Sequence, residues 1–139
     1  MKIVLDTNCL LPILVPGSFG HDIWQAFQHG KYTLCVSADI LLEYEEILLR
    51  ITGDKQFAAD VIEAIENASN VEHVTPTFHF NLITADPDDN KFVDCAVTAG
   101  ATFIVSNDKH FSELKQIDFP KVDVCALADF LKIVRTLFY

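Results

Sequence analysis

The stretch KIVLDTN, residues 2–8, decides the fold that we expect for this chain. Its first four residues form a short, mostly apolar run that predicts a buried strand, and Asp6 follows directly. Such unbroken apolar strands are typical of parallel sheets covered on both faces. In these sheets the ligand site lies beyond the carboxyl ends of the strands. The stretch therefore predicts a parallel α/β sheet with Asp6 at the edge where a site is expected.

Working outward from this strand, apolar strands alternate with amphipathic helices along the chain. Ser37 and Asp54 are suited to begin helices as N-caps, and Gly30 and Gly100 are suited to end them. The alternation predicts a parallel sheet with helices on both faces. We expect strands at 2–5, 32–36, 71–74, 102–105 and 122–124, helices at 21–29, 37–50, 54–68, 89–99 and 127–137, one helical turn at 111–114, and a loop over 76–87.

Length and composition predict one compact globular domain over residues 1–139. Half of the residues are hydrophobic, and the sequence has no repeat, low-complexity segment or Gly/Ser linker. The longest apolar runs, such as 40–42 and 103–105, are too short to cross a bilayer. No apolar leader with a small-residue cleavage site stands at the beginning, so we expect a cytoplasmic protein without membrane contact.

The four cysteines, Cys9, Cys35, Cys95 and Cys125, are widely spaced and form no CxxC pair. This spacing argues against a zinc site or a redox motif. Their neighbours are apolar, so we expect reduced, buried thiols.

The net charge of −10 and the absence of any Lys/Arg run argue against a free-standing, high-affinity nucleic-acid binder. Three interpretations stay open. The acidity keeps the protein soluble, a divalent metal neutralises part of it, or a basic partner covers it.

Four acidic residues stand where the predicted strand ends and helix starts converge. Asp6 follows the first strand, Asp89 opens a helix, Asp108 follows the fourth strand, and Glu43 reaches the same cleft if its helix turns that face inward. Mg²⁺ and Mn²⁺ prefer such oxygen ligands, and crowded carboxylates without a cation repel each other. The cluster therefore predicts a divalent metal site, although each acid taken alone is also compatible with a turn, a helix cap or a solvent-facing position.

Four motifs of the sequence together resemble those of the PIN-domain family. Residues 2–8 are similar to its opening strand and DTN signature, and residues 37–50, which include Glu43, are similar to its second acidic helix. Residues 86–92, with the sequence DPDDNKF, resemble its third element, and residues 99–108, with the sequence AGATFIVSND, resemble its fourth. The match spans nearly the whole chain in the family's order and spacing.

The resemblance implies a three-layer α/β/α fold with a central, mainly parallel sheet of about five strands. It also implies a Mg²⁺- or Mn²⁺-dependent endoribonuclease, often the toxin of a toxin–antitoxin pair, with RNA as substrate and an antitoxin protein as a candidate partner. Carried over to this sequence, the catalytic acids are Asp6, Glu43, Asp89 and Asp108, and the supporting polar residues are Thr7, Asn8 and Ser106.

Two positions depart from the pattern or leave the ligand set open. Ser106 stands where the family more often has threonine, and it keeps the hydroxyl group. Asp88 lies beside Asp89, so either acid is a candidate; we expect Asp89 because its distance from Gly100 fits the family's helix. The expected metal ligands are Asp6, Asp89 and Asp108, with Glu43 completing the site.

Other side chains near the predicted site are compatible with ordinary structural roles as well as functional ones. Lys91, Lys109 and His110 are candidates for phosphate contacts or for ordinary surface residues. The C-terminal apolar stripe packs on the sheet or forms a homodimer interface; it consists of Phe130, Ile133, Val134, Leu137 and Phe138.

Two other functions compete with the nuclease. A phosphatase that forms an aspartyl phosphate would need a second Asp two residues after Asp6, where Asn8 stands, and a receiver domain would need an acid pair beside the first strand. A non-catalytic interaction module with the same fold is disfavoured by the four acids and favoured by the acidity and the lack of a basic groove.

Overall fold

The computed structural model describes residues 1–83, 86–118 and 120–138, and of Phe138 the backbone alone. The described part contains a five-stranded parallel sheet. The strands are β1 (Lys2–Leu5), β2 (Thr33–Val36), β3 (Val71–His73), β4 (Phe103–Val105) and β5 (Val124–Cys125), in the order β3-β2-β1-β4-β5. All four pairings are parallel. The expectation of a parallel, about five-stranded sheet is confirmed.

Helices flank this sheet and complete the three-layer α/β/α fold that was predicted. They are α1 (Leu10–Leu14), α2 (His21–Gln28), α3 (Ala38–Thr52), α4 (Lys55–Asn67), α5 (Asn90–Ala99) and α6 (Leu127–Phe138), with 3-10 turns at Thr7–Cys9, Pro87–Asp89 and Lys109–Gln116. Helix α5 packs on β1, β2 and β4, whereas α2 packs on α6, and α3 on α4. No helix in the described ranges is long and apolar enough to cross a membrane.

Local sequence signals set most of the helix ends as expected. The Ser37 side chain accepts a hydrogen bond from the backbone N–H of Ile40 at the start of α3, and Asp54 accepts one from Phe57 at the start of α4. Gly100 ends α5 with φ of 67°, a left-handed conformation that glycine adopts without steric cost.

Three elements differ from the prediction. Helix α1 was not predicted, because five residues that include Pro12 are too few to show a helical period. Strand β5 lies at Val124–Cys125 rather than 122–124, since its register is set by pairing with Ile104 and Val105 of β4. The predicted single turn is an eight-residue 3-10 helix that begins directly after Asp108.

The cysteines are buried as expected, whereas the C-terminal stripe is buried only in part. All four cysteines are free and buried, which confirms the first expectation. On α6, Phe130 and Val134 are fully buried, whereas Leu137 is 61% exposed. The Phe138 side chain and residues 84–85 of the predicted loop lie outside the described residues.

The strand order places a topological switch between β1 and β4. From β1 the chain proceeds outward to β2 and β3, and then returns to the other side of β1 to form β4 and β5. Beyond the strands, the backbone N–H of Asp6 donates to the carbonyl of Val105, and that of Ser106 donates to Cys125. The segments that follow β1 and β4 therefore lie side by side at the edge where parallel α/β sheets form their sites.

Candidate metal centre at the carboxyl edge of the sheet

Asp6 lies at the centre of this edge and is only 3% exposed. Its carboxylate accepts a hydrogen bond from the Ser106 hydroxyl at 2.8 Å and one from the backbone N–H of Asn8. Burial raises the pKa of Asp6, and the nearby carboxylates of Asp108 and Glu43 raise it further, against the opposing effect of the two hydrogen bonds. Asp6 is therefore a buried acid whose charge is only partly compensated by its neighbours.

Each polar side chain of the segment after β4 takes part in a hydrogen bond that holds this segment in place. The Ser106 hydroxyl accepts a bond from the backbone N–H of Asp108 at 2.9 Å while it donates to Asp6. The Asp108 carboxylate accepts from the N–H of His110 and so begins the 3-10 helix, and Asn107 accepts from the N–H of Leu127. Ser106 thus links the two strand ends and orients the carboxylate of Asp6.

Asp89, rather than Asp88, is turned inward at the start of α5. Asp89 is 9% exposed, whereas Asp88 is exposed and lies on the outside of the 3-10 turn Pro87–Asp89. Burial raises the pKa of Asp89 to about 6, helped by the carboxylates of Asp86 and Asp108 and opposed by a hydrogen bond with His110. Because Pro87 begins this turn and Asp86 caps it, the backbone itself determines which acid faces the site.

Glu43 reaches the same edge from α3. Its carboxylate accepts a hydrogen bond from the Thr7 hydroxyl and forms an ion pair with Lys91, with Nζ and Oε1 2.8 Å apart. Lys91 in turn lies 5.6 Å from the centre of the Phe92 ring. Glu43 also interacts electrostatically with Asp6, so its carboxylate lies near this buried acid. The inward-facing position that the sequence left conditional is therefore the observed one.

The structure brings Asp6, Glu43, Asp89 and Asp108 into one electrostatic neighbourhood, with Thr7 and Ser106 as hydrogen-bond donors to two of them. Asn8 contributes its backbone N–H, while the residue itself is exposed. Asp88 is not among the acids that face each other here.

Two further residues belong to this neighbourhood, and sequence reasoning assigned neither of them to the metal. Asp86 and His110 join Asp89 in a group whose candidate ligand atoms lie within 4.8 Å of one another. Asp86 precedes a proline and reads as a turn cap, a role that it also has. His110 was a candidate for a phosphate contact in the sequence, and its contacts with Asp89 and Asp108 are visible only in the fold.

The donor set fits a divalent cation. Carboxylate oxygens, the ligands that Mg²⁺ and Mn²⁺ prefer, dominate it. Burial raises the pKa values of Asp6 and Asp89, and repulsion from the neighbouring carboxylates raises both further. A bound cation would remove that repulsion. Among the residues that the structure describes, the cationic groups paired with these acids are Lys91, against Glu43, and the His110 ring, which is charged only when protonated.

Comparison with known proteins agrees with the fold and the sequence motifs. The model of the PIN domain matches residues 2–110, which is more than half of the chain. The chain therefore belongs to the PIN-domain family, as its motifs indicated. No curated protein sequence matches it significantly.

Solved structures with the same fold include two complexes bound to DNA. One is VapBC2 from Rickettsia felis bound to a DNA fragment from their promoter, with a TM-score of 0.61, 15% identity, and coverage of 91% of this chain and 98% of that chain. The other is DNA-bound VapBC from Salmonella typhimurium, with a TM-score of 0.55, 18% identity, and coverage of 91% and 98%. At these identities the likeness is one of fold.

Proposed function

We propose that this protein is a Mg²⁺- or Mn²⁺-dependent endoribonuclease that hydrolyses RNA phosphodiester bonds and acts as the toxin of a toxin–antitoxin pair. The observation that carries the proposal is the convergence of Asp6, Glu43, Asp89 and Asp108 at the switch point of the sheet. Family membership supports it, because the PIN-domain model matches residues 2–110, a range that contains all four acids.

The metal site would be formed by Asp6, Asp89 and Asp108, with Glu43 completing it. A divalent ion bound there supplies a water of lowered pKa and stabilises charge on the phosphate. Ser106 orients the Asp6 carboxylate, and the Thr7 hydroxyl orients that of Glu43. Lys91 neutralises Glu43 and holds α3 against α5, so the distance between the acids is kept by hydrogen bonds and an ion pair.

An open groove beside Glu43 is the proposed approach for the RNA strand. Its volume is about 620 Å³, and Arg50 and Lys91 line it together with Glu46 and Asp88. The two cations suit a phosphate backbone, and the acids limit how strongly the free protein holds it. We therefore propose weak, metal-assisted binding of RNA rather than tight binding by a basic face.

The proposed setting is that of a single-domain cytoplasmic protein with an antitoxin partner. The net charge of −10 suits a basic partner segment, and both DNA-bound structures with this fold are VapBC complexes. We also propose a homodimer, for which the C-terminal end of α6, where Leu137 is 61% exposed, would be the contact to test.

The deciding experiment is cleavage of a mixed RNA pool with Mn²⁺, with EDTA, and with Asp6→Asn. We expect cuts that require the metal and disappear in the variant. Two matched pairs locate the site further. Glu43→Gln is expected to lose cleavage and Glu45→Gln on the exposed side of the same helix to keep it. Asp89→Asn should also lose cleavage, whereas Asp88→Asn, which removes an acid from the groove but no ligand from the metal site, should not. Normal cleavage by a folded Asp6→Asn protein would overturn the assignment.

A non-catalytic PIN-fold interaction module is the second candidate, and the absence of any Lys/Arg run is the observation that favours it. A folded protein that binds Mn²⁺ and a partner, but leaves every RNA in the pool intact, is the result that would support this alternative.

A further inference from the structure

The His110 ring projects into the acidic group at the carboxyl edge of the sheet. Its Nδ1 lies 3.3 Å from Oδ2 of Asp89 and 3.3 Å from Oδ1 of Asp108. The two acids come from separate elements, the turn before α5 and the segment after β4. The ring nitrogen therefore occupies a position between two acids that the proposed metal site would use.

The backbone around His110 holds the ring in this place. The N–H of His110 donates to the Asp108 carboxylate at 2.9 Å, and the next residue, Phe111, is fully buried against the ring of Phe92. The His110 side chain remains 35% exposed. The imidazole is thus anchored on its backbone side and still accessible to an ion from solvent.

Asp86 completes a group of three potential ligands with Asp89 and His110. One candidate ligand atom from each of the three lies within 4.8 Å of the others. Donors on a single ion at bond lengths of about 2.1 Å lie up to roughly 4 Å apart, so small side-chain rotations bring these three atoms to one centre. Asp86 is held for this by its place in the turn, where its carboxylate accepts the N–H of Asp88.

We propose that His110 and Asp86 bind the divalent ion together with Asp89, so that the centre has a nitrogen ligand as well as oxygen ligands. This inference rests on the proposed function only in taking a divalent ion to bind at this edge. Mn²⁺ favours oxygen ligands as Mg²⁺ does, but as a transition-metal ion it also accepts an imidazole nitrogen, whereas Mg²⁺ keeps oxygen ligands and its waters. The proposed centre therefore selects Mn²⁺ over Mg²⁺ to a degree that a site of carboxylates alone would not.

A different role for His110 makes the opposite prediction. If the ring only serves as a cation that pairs with Asp89 and Asp108, it competes with the metal. Removing it would then strengthen the binding of Mn²⁺ and Mg²⁺ alike. If His110 is a ligand, removing it weakens Mn²⁺ binding and leaves Mg²⁺ binding much less affected.

The test compares His110→Gln with wild type by Mn²⁺ electron paramagnetic resonance. Free Mn²⁺ is counted in a titration, Mg²⁺ is measured by competition, and electron spin-echo modulation detects a nitrogen bound directly to Mn²⁺. The matched control is His79→Gln, because His79 also pairs its Nδ1 with an aspartate of the α5 region, Asp94, at 3.2 Å, outside the acidic group. Asp86→Asn, with exposed Asp88→Asn as its control, tests the third ligand.

We expect a directly bound nitrogen in wild type and in His79→Gln, and its loss in His110→Gln. We also expect Mn²⁺ affinity to fall in His110→Gln by at least the roughly tenfold change that supporting residues of metal sites typically give. Asp86→Asn should weaken both ions, and Asp88→Asn neither. No nitrogen coupling in wild type, no Mn²⁺ binding, or tighter binding of both ions in His110→Gln would overturn the inference.

These outcomes are separable from the proposed nuclease activity. A nitrogen-bound Mn²⁺ in a protein that cleaves no RNA would leave the ligand assignment in place and remove the nuclease. Metal-dependent cleavage without a bound nitrogen would keep the nuclease assignment and remove His110 as a ligand.

Discussion

At the scale of single residues, Asp89 combines burial with a position among other acids. Its pKa is raised to about 6 from an ordinary value of 3.8, first by burial and then by Asp86 and Asp108. Without metal, the folded state therefore binds a proton at Asp89 more tightly than the unfolded chain does. The stability that comes from this difference is fully present below about pH 3.8 and is lost as the pH rises through about 6.

Asp89→Asn should accordingly stabilise the metal-free protein at neutral pH. The difference between the two pKa values corresponds to at most about 3 kcal/mol in the free energy of unfolding, and the side chain is only 12% exposed, so solvent screens it little. Urea unfolding in EDTA across the acidic and neutral range measures this. The gain is expected to vanish at acidic pH, and a gain that is independent of pH would contradict the raised pKa.

Ser106 provides a second test at this scale, since its hydroxyl satisfies groups on both sides of the switch point. Ser106→Ala leaves the buried Asp6 carboxylate and the Asp108 N–H without this partner, and should lower the free energy of unfolding by about 1–3 kcal/mol. Ser106→Thr keeps the hydroxyl and should lose less. Equal losses in the two variants would show that the hydroxyl does not carry the effect.

At the scale of elements, α3 presents Glu43 and the start of α5 presents Asp89, and local signals set the ends of both helices. The Ser37 cap fixes where α3 begins, and the left-handed Gly100 fixes where α5 ends. Once the ends are set, the helical period determines that Glu43 faces Lys91 while Glu45 faces solvent. A cap fixes where a helix begins, and it thus also determines which side chains of that helix face the site.

Helix α4 packs on α3 and β3 but carries none of the four acids of the site, so the contribution of its cap can be measured apart from them. Asp54→Ala removes the bond to the N–H of Phe57 and should destabilise the protein by about 1 kcal/mol. Asp54→Ser retains a capping oxygen and should be close to wild type. Thermal unfolding gives both values, and Mn²⁺ affinity should be the same in both variants; a change in affinity would argue that α4 is coupled to the centre.

At the scale of the whole molecule, the acidic chain should be stabilised by the ion that it binds. Saturation with Mn²⁺ raises the free energy of unfolding according to the ratio of ion concentration to Kd, by about 2.7 kcal/mol at a hundredfold excess. Thermal unfolding of wild type and of Asp6→Asn with Asp89→Asn measures this. NaCl at the same ionic strength is the control for general screening of the net charge of −10, and an equal rise with NaCl would rule out specific binding.

The sequence by itself determined the features that depend on neighbours in the chain. Apolar runs predicted four strands near their observed places, and Ser37, Asp54 and Gly100 predicted helix ends, because hydrogen bonds of a cap and the conformation of glycine act over a few residues. The four family motifs, with Asp6 after the first strand, also identified the PIN family and the acids to compare.

Tertiary structure alone decided the order of the strands and the register of β5. It also brought His110 to Asp89 across 21 positions of the chain. Such contacts depend on packing between distant segments, and a pattern of hydropathy contains no signal for them. Residues of the carboxyl edge that directly follow a strand were therefore predictable from the sequence. Residues that a loop brings back to this edge were visible only in the folded chain.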